Sequence, residues 1–209
     1  NLKKKRIIEI GCNKGENLII LNRYVKNSFG VEYNKYSVDE CKKKNLRVRK
    51  FFLDKINKKI HDKPFDAFII LNFLEHIPNL NLFFKSLKRN LNTNAVGLIE
   101  VPNFDMIKSK GLYTEIIIDH LYYFSEKNLS NLLEKFGFKI LKQNKIFDDY
   151  IISFIVKKVN NSNINRIVRW KNNFSLNIIN KSLNLIKKKI YKFKDKINNE
   201  EFIIWGAGH

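Results

Sequence analysis

A doubly wound α/β domain, closed by an antiparallel β-hairpin and followed by a long helical segment, is the fold class that this sequence predicts. Three observations predict it. Apolar runs of strand length alternate with stretches of helical spacing from Arg6 to about Phe136. The first run, Arg6 to Ile10, breaks into a Gly-x-x-x-Gly turn at Gly11 and Gly15 and then enters a helical segment. The second run, Phe29-Gly30-Val31, ends in an acid, Glu32.

The strand, tight turn and helix at the start imply a cofactor site. Glycines let the backbone approach a ligand closely, and a helix start offers N–H groups. A dinucleotide fingerprint would need Gly-x-Gly-x-x-Gly, and Asn13 and Glu16 break that spacing. Asn at the middle position is a mild departure, because Asn tolerates a left-handed backbone. Helical spacing runs from Glu16 to about Lys26. Glu32 follows Glu9 by the interval at which an acid closes the second strand of a nucleotide-binding βαβ unit and accepts ribose hydroxyls. Tyr36 to Lys44 reads as the second helix and Arg47 to Leu53 as the third strand, closed by Asp54. Phe65 to Asn72 is nearly continuous in apolar residues and suits a central strand buried on both faces. Leu80 to Leu91 has amphipathic helical spacing, and Ala95 to Val101 is the fifth strand, stopped by Pro102. The irregular Asn103 to Ile118 reads as a loop or short helix over a substrate pocket. Ser125 is placed as the N-cap of a helix from Glu126 to Phe136, which Gly137 ends. Phe138 to Phe147 and Tyr150 to Val156 read as two last strands turned at Asp148-Asp149.

Composition sets further bounds. A chain of 209 residues fits one domain plus an appendage. No apolar run approaches the length of a membrane span and no signal peptide opens the sequence, so the expected compartment is the cytoplasm. Cys12 and Cys41 are isolated, which predicts neither a disulfide framework nor a metal centre. The net charge of +20 is spread widely in a chain crowded with Lys, Asn, Ile and Phe and holding only three alanines. An A/T-rich coding sequence accounts for that composition, and no basic and aromatic nucleic-acid motif accompanies it. Nucleic acid is therefore not the expected partner.

The segment Glu9-Ile10-Gly11-Cys12-Asn13-Lys14-Gly15 resembles motif I of the class I S-adenosylmethionine (SAM)-dependent methyltransferases, with Asn13 replacing the middle glycine. The resemblance implies a Rossmann-like methyltransferase sheet with SAM as cofactor. It places Glu9, Gly11, Cys12, Asn13 and Gly15 in the cofactor turn, Glu32 on the ribose and Asp54 at the adenine. Asn72-Phe73-Leu74-Glu75-His76-Ile77-Pro78 is similar to a segment after the fourth strand of that family, which makes Asn72, Phe73 and His76 cofactor-edge candidates. Asp119-His120-Leu121-Tyr122-Tyr123-Phe124-Ser125, followed by a helix and Gly-Phe, resembles the small-molecule branch and most of all the sugar C-methyltransferases. Those act on nucleotide-linked keto sugars. The resemblance implies His120 as general base oriented by Asp119, although Ile117 stands where that family has an assisting Tyr.

The expected organisation is a methyltransferase domain over 1–158, a basic helical linker over 159–200, and the start of a truncated second α/β unit over 201–209. From Lys157 to Asn198 there are 12 Lys or Arg against one acid. Ile179, Leu183, Ile186, Ile190, Phe193 and Ile197 form a seam of heptad character. That seam suits helix-mediated self-association, contact with an anionic membrane, or packing on the catalytic domain. The expected function is methyl transfer from SAM to a small-molecule acceptor, a sugar or nucleotide-linked sugar of surface-polysaccharide biosynthesis. The alternatives are an RNA methyltransferase anchored by the basic segment and a non-catalytic binding domain of the same fold.

Overall fold

The computed structural model describes residues 4–159, apart from 57 and 62, and a few helical residues between 183 and 194. The expected linker and second unit otherwise lie outside the described residues. Seven strands form one sheet: β1 (Arg6–Ile10), β2 (Asn27–Glu32), β3 (Val48–Lys50), β4 (Phe65–Leu71), β5 (Leu91–Pro102), β6 (Phe138–Ile146) and β7 (Ile151–Lys158). Within residues 4–159 five α-helices accompany them: α1 (Glu16–Asn22), α2 (Lys35–Lys43), α3 (Leu80–Arg89), α4 (Phe104–Lys110) and α5 (Glu126–Lys135). The strand order is β3-β2-β1-β4-β5-β7-β6. The first five are parallel, and β7 runs antiparallel to both β5 and β6. Among the described residues no helix is long and apolar enough to cross a membrane.

Local chemistry explains the elements. The central strands are rich in Ile, Val and Phe, and Ile8, Ile70, Ile99 and Phe154 are fully buried because helices cover both faces. In α3, Leu80, Phe83, Phe84 and Leu87 are buried at helical spacing, which turns that stripe onto the sheet. Asn34, Asn79 and Ser125 cap α2, α3 and α5 by accepting main-chain N–H bonds. Phe68 lies over Gly97 of the neighbouring strand, where a Cβ would stand 2.0 Å from the ring.

Three boundaries differ by three residues or more from the sequence expectation. The first helix ends at Asn22 rather than near Lys26, because the chain turns through bonds from Arg23, Tyr24 and Val25 that bring Val25 into the core. The third strand ends at Lys50, and beyond it the buried Phe51 and Leu53 fold into the core instead of extending the ladder. The fifth strand begins at Leu91, within the expected helix, and a register shift opposite Phe65 to Ala67 accommodates the added length.

The order of the strands reverses between β1 and β4, so their carboxyl ends define a crevice where α/β sheets hold ligands. The central aromatic packing positions that crevice. Phe68→Ala is expected to lower the unfolding free energy by about 3–5 kcal/mol, measured by denaturant titration.

Candidate functional site at the carboxyl edge of the sheet

The chain reverses after β1 through three residues with left-handed backbone, Gly11 (φ 72), Asn13 (φ 44) and Gly15 (φ 82). Asn13 adopts the conformation that its tolerance for this region allows. The Val31 carbonyl accepts both Gly11 N–H at 2.9 Å and Cys12 N–H at 3.2 Å, and Gly15 N–H donates to the Cys12 carbonyl at 2.8 Å. Most amides of the turn are thus used inside the protein, and what the turn offers a ligand is a shaped floor. A Cβ on Gly11 would stand 2.3 Å from the Phe73 ring, and one on Gly15 would stand 2.3 Å from Leu46. Phe73 therefore lies directly over the turn, which brings together the motifs after β1 and β4.

Glu32, at the end of β2, ties the turn to the next helix. Its Oε2 accepts Asn13 N–H at 3.0 Å, and its Oε1 accepts Tyr33 N–H at 2.8 Å and Asn34 N–H at 2.9 Å. Ile10, Gly11, Val31, Glu32, Tyr33, Phe52, Leu53 and Phe73 line a narrow slot beside it. Asp54 follows Leu53 and is exposed. The Cys12 side chain packs with Leu18, Cys41 and Leu46 beneath the turn, so its thiol faces the core; burial there pushes the thiol up. Glu9 is buried at the end of β1. Its Oε1 accepts the Asn17 amide at 2.9 Å while its Oε2 has no partner, and burial raises its carboxyl above the ordinary range.

A second group of polar residues lies after β4. Asn72 has φ 45, donates its N–H to the Glu100 carbonyl at 2.9 Å and leaves its side chain exposed. Glu75 and His76 sit in a single 3-10 turn, Leu74–His76. The segment carrying Asp119 and His120 docks onto this turn, with Leu121 N–H and Tyr122 N–H both donating to the Glu75 carbonyl at 2.9 and 3.2 Å. The ring centroids of His76 and His120 are consequently 4.8 Å apart at an interplanar angle of 72°. His76 Nδ1 lies 2.9 Å from the Asp119 carbonyl oxygen. A carbonyl only accepts, so Nδ1 carries the proton and, in the neutral ring, Nε2 keeps the lone pair.

The structure brings His120 to His76 and places Asp119 on His76. The Asp119 carboxylate is 3.7 Å from His76 Nδ1. Burial, and next the nearby His76, lowers the His120 imidazole below its usual value. The side chain that the sequence reading passed over is Glu75. Its carboxylate is buried, its Oε2 is without a partner, and burial pushes its carboxyl up to about 7. No local signal marks it, because its burial depends on how the turn is packed in the fold. Two tyrosines were also missed: Tyr123, whose hydroxyl donates to the Ile117 carbonyl at 3.1 Å beside His120, and Tyr150, whose hydroxyl donates to Glu115.

Residues 1–143 match the family model described as "Methyltransferase domain". The chain belongs to that family. Solved structures agree in fold. The methyltransferase in a complex with the Haloferax volcanii activator Trm112 superposes with a TM-score of 0.64 at 11% identity, over 76% of this chain and 84% of that one. A SAM-dependent methyltransferase of Methanosarcina mazei gives 0.59 at 16% identity, over 76% and 94%. One from Archaeoglobus fulgidus gives 0.58 at 22% identity, over 75% and 88%. No curated protein matches by sequence. Its fold is that of the class I SAM-dependent methyltransferases, and SAM is its expected cofactor.

In this methyltransferase Gly11 has two separable constraints, the left-handed backbone and the Phe73 ring above it. Gly11→Ala is expected to lower stability by about 1–3 kcal/mol in thermal or denaturant unfolding. In a Phe73→Ala background the same change should cost less, because only the backbone strain remains.

Proposed function

We propose that the methyltransferase transfers the SAM methyl group to a small-molecule acceptor of the sugar class, free or nucleotide-linked, in cytoplasmic steps of surface-polysaccharide biosynthesis. The observation that carries this reading is the docking of the 119–123 segment onto Glu75. It sets His120 against His76 at the same sheet edge as the Gly11 turn and Phe73. The resemblance of that segment to sugar C-methyltransferases supports the acceptor class. Methyl transfer from a sulfonium is an in-line displacement, so alignment supplies most of the acceleration, on the order of 7–11 kcal/mol at best. What remains is the acceptor's proton, and His120 is the acceptor-side group on which its removal depends, with Asp119 in support.

SAM is assigned to the crevice with its methionine part over Gly11, Asn13 and Gly15, its ribose at Glu32, its adenine toward Asp54, and Asn72, Phe73 and His76 along its edge. The residues fit such a ligand. The orphaned Glu9 Oε2 beneath the turn is an acceptor without a donor, and the α-ammonium of SAM is a donor that a buried carboxylate would hold.

Two variants test these roles. Glu9→Gln removes a buried charge whose carboxyl is raised above its ordinary value of 4.5, so the ligand-free variant should be more stable than the parent above neutral pH and no more stable below about pH 4.5. The same variant should bind SAM about 10- to 100-fold more weakly by calorimetry, the scale of a hydrogen bond to a charged group. Equal SAM affinity would remove Glu9 from the cofactor site.

His120→Ala should lower turnover by roughly 10²–10⁴ while leaving SAM affinity intact. Asp119→Asn should lower it less. A panel of nucleotide-linked sugars, free sugars and RNA with labelled SAM decides the acceptor. Transfer to the sugars is the expected outcome, whereas transfer to RNA alone, steeply salt-dependent, overturns the sugar reading.

A further inference from the structure

A base at the acceptor needs one imidazole, yet two imidazoles and a carboxylate converge here. Among the described residues, Glu75, His76 and His120 each offer one ligand atom, and these atoms all lie within 4.8 Å of one another. Three features distinguish the group from incidental packing. Glu75 is 2% exposed and its Oε2 has no hydrogen-bond partner, a state that is unfavourable unless a cation or donor completes it. His76 spends Nδ1–H on the Asp119 carbonyl and so keeps its Nε2 lone pair 4.0 Å from Glu75 Oε1. Metal-ligating histidines are held in that way, with the second ring nitrogen bonded to a carbonyl or carboxylate. Finally, the main chain carrying His120 is anchored on the Glu75 carbonyl, so one ligand residue fixes the approach of another.

We propose that Glu75, His76 and His120 bind one divalent transition-metal ion, and that the open positions of the ion take oxygen atoms of the methyl acceptor. Two imidazoles and one carboxylate suit manganese, iron, cobalt, nickel or zinc, and three protein ligands leave room for substrate. Ligands about 2.1 Å from an ion stand about 3.4 Å apart in tetrahedral geometry. The 4.0 Å between His76 Nε2 and Glu75 Oε1 is close to that separation, and no two of the three ligand atoms are more than 4.8 Å apart.

This inference rests on the methyltransferase reading and narrows its substrate. An acceptor methylated on the oxygen through which it ligates is a hydroxyl compound, and adjacent hydroxyls of a sugar can chelate. Bound to the ion, the hydroxyl becomes more acidic and gives its proton to water. The oxygen lone pair forms the new bond to the SAM methyl carbon. The carbon–sulfur bond breaks with its electron pair staying on sulfur, so the sulfonium leaves as a neutral thioether. His120 governs the acceptor's acidity through the ion.

Cobalt(II) alone, titrated into the 209-residue chain and followed by its visible absorption, tests the site directly. The expected result is saturation at one equivalent, with binding weakened at least about tenfold in His76→Ala, His120→Ala and Glu75→Gln. His61→Ala, a change at a ring packed on Phe29 and Phe65, should leave it unchanged. Because Glu75 is buried, the fold of its variant is checked by circular dichroism, and the two partly exposed histidines decide the matter. No saturable binding, or parent-like affinity in both histidine variants, overturns the ion site. Calorimetry with SAM on chelator-treated protein keeps the two readings apart. SAM binding without cobalt binding sinks the ion site and leaves the methyltransferase, while absence of SAM binding sinks the methyltransferase reading itself.

Discussion

The reversal of the chain after β1 is the constraint on which the rest depends. Its left-handed residues can close only because the Val31 carbonyl takes two of its amides and the Glu32 carboxylate takes a third. Those acceptors exist because β2 lies parallel to β1 in a register that pairs Ile10 with Val31. Glu32 simultaneously receives the amides that lead into α2, so one carboxylate joins two strand ends and the entrance of a helix. Phe73, arriving from β4, then caps the turn at a distance that only a glycine beneath it allows. A ligand in the crevice would meet a surface already fixed by the sheet rather than one that must be ordered on binding.

Charge is arranged against the average of the molecule. In a chain of net charge +20, the two carboxylates with unpartnered buried oxygens among the described residues, Glu9 and Glu75, both lie at the carboxyl edge of the central strands. Burial raises both above the ordinary carboxylate range. Keeping such groups is unfavourable for folding, and a protein free to replace them with amides or apolar residues would be more stable. Their presence at one edge, with Glu75 beside two imidazoles, concentrates the demand for cations where the ligand crevice lies.

The order of strands and helices was legible because their signals are local. The Gly11 and Gly15 turn, the acid at Glu32, the cap at Ser125 and the period of α3 each depend on neighbours within a few residues. What was not legible required distant partners. The third strand stops at Lys50 because Phe51 and Leu53 are drawn into the core, and the fifth starts at Leu91 because a bulge opposite Phe65 absorbs the offset. In the site, His76 and His120 could each be singled out from their own motifs. Their meeting could not, since it rests on two amides finding the Glu75 carbonyl across more than forty residues of chain. Glu75 itself was hidden for the same reason: its burial is a property of the fold, and the residue type alone points to the surface.

Lys158, the last residue of β7, donates its ammonium to the Lys88 carbonyl at 2.7 Å and the Leu91 carbonyl at 2.6 Å. It pairs in register with Phe138, while Leu91 pairs with Phe65 at the start of β4. The domain is therefore riveted shut at the amino edge of its parallel strands, about 20 Å along the strands from the crevice by the rise of a seven-residue strand. Whatever is joined to the chain beyond that rivet is tethered from the back of the molecule. The last strand therefore delivers the chain to the edge of the sheet opposite the one at which a cofactor and an acceptor would enter.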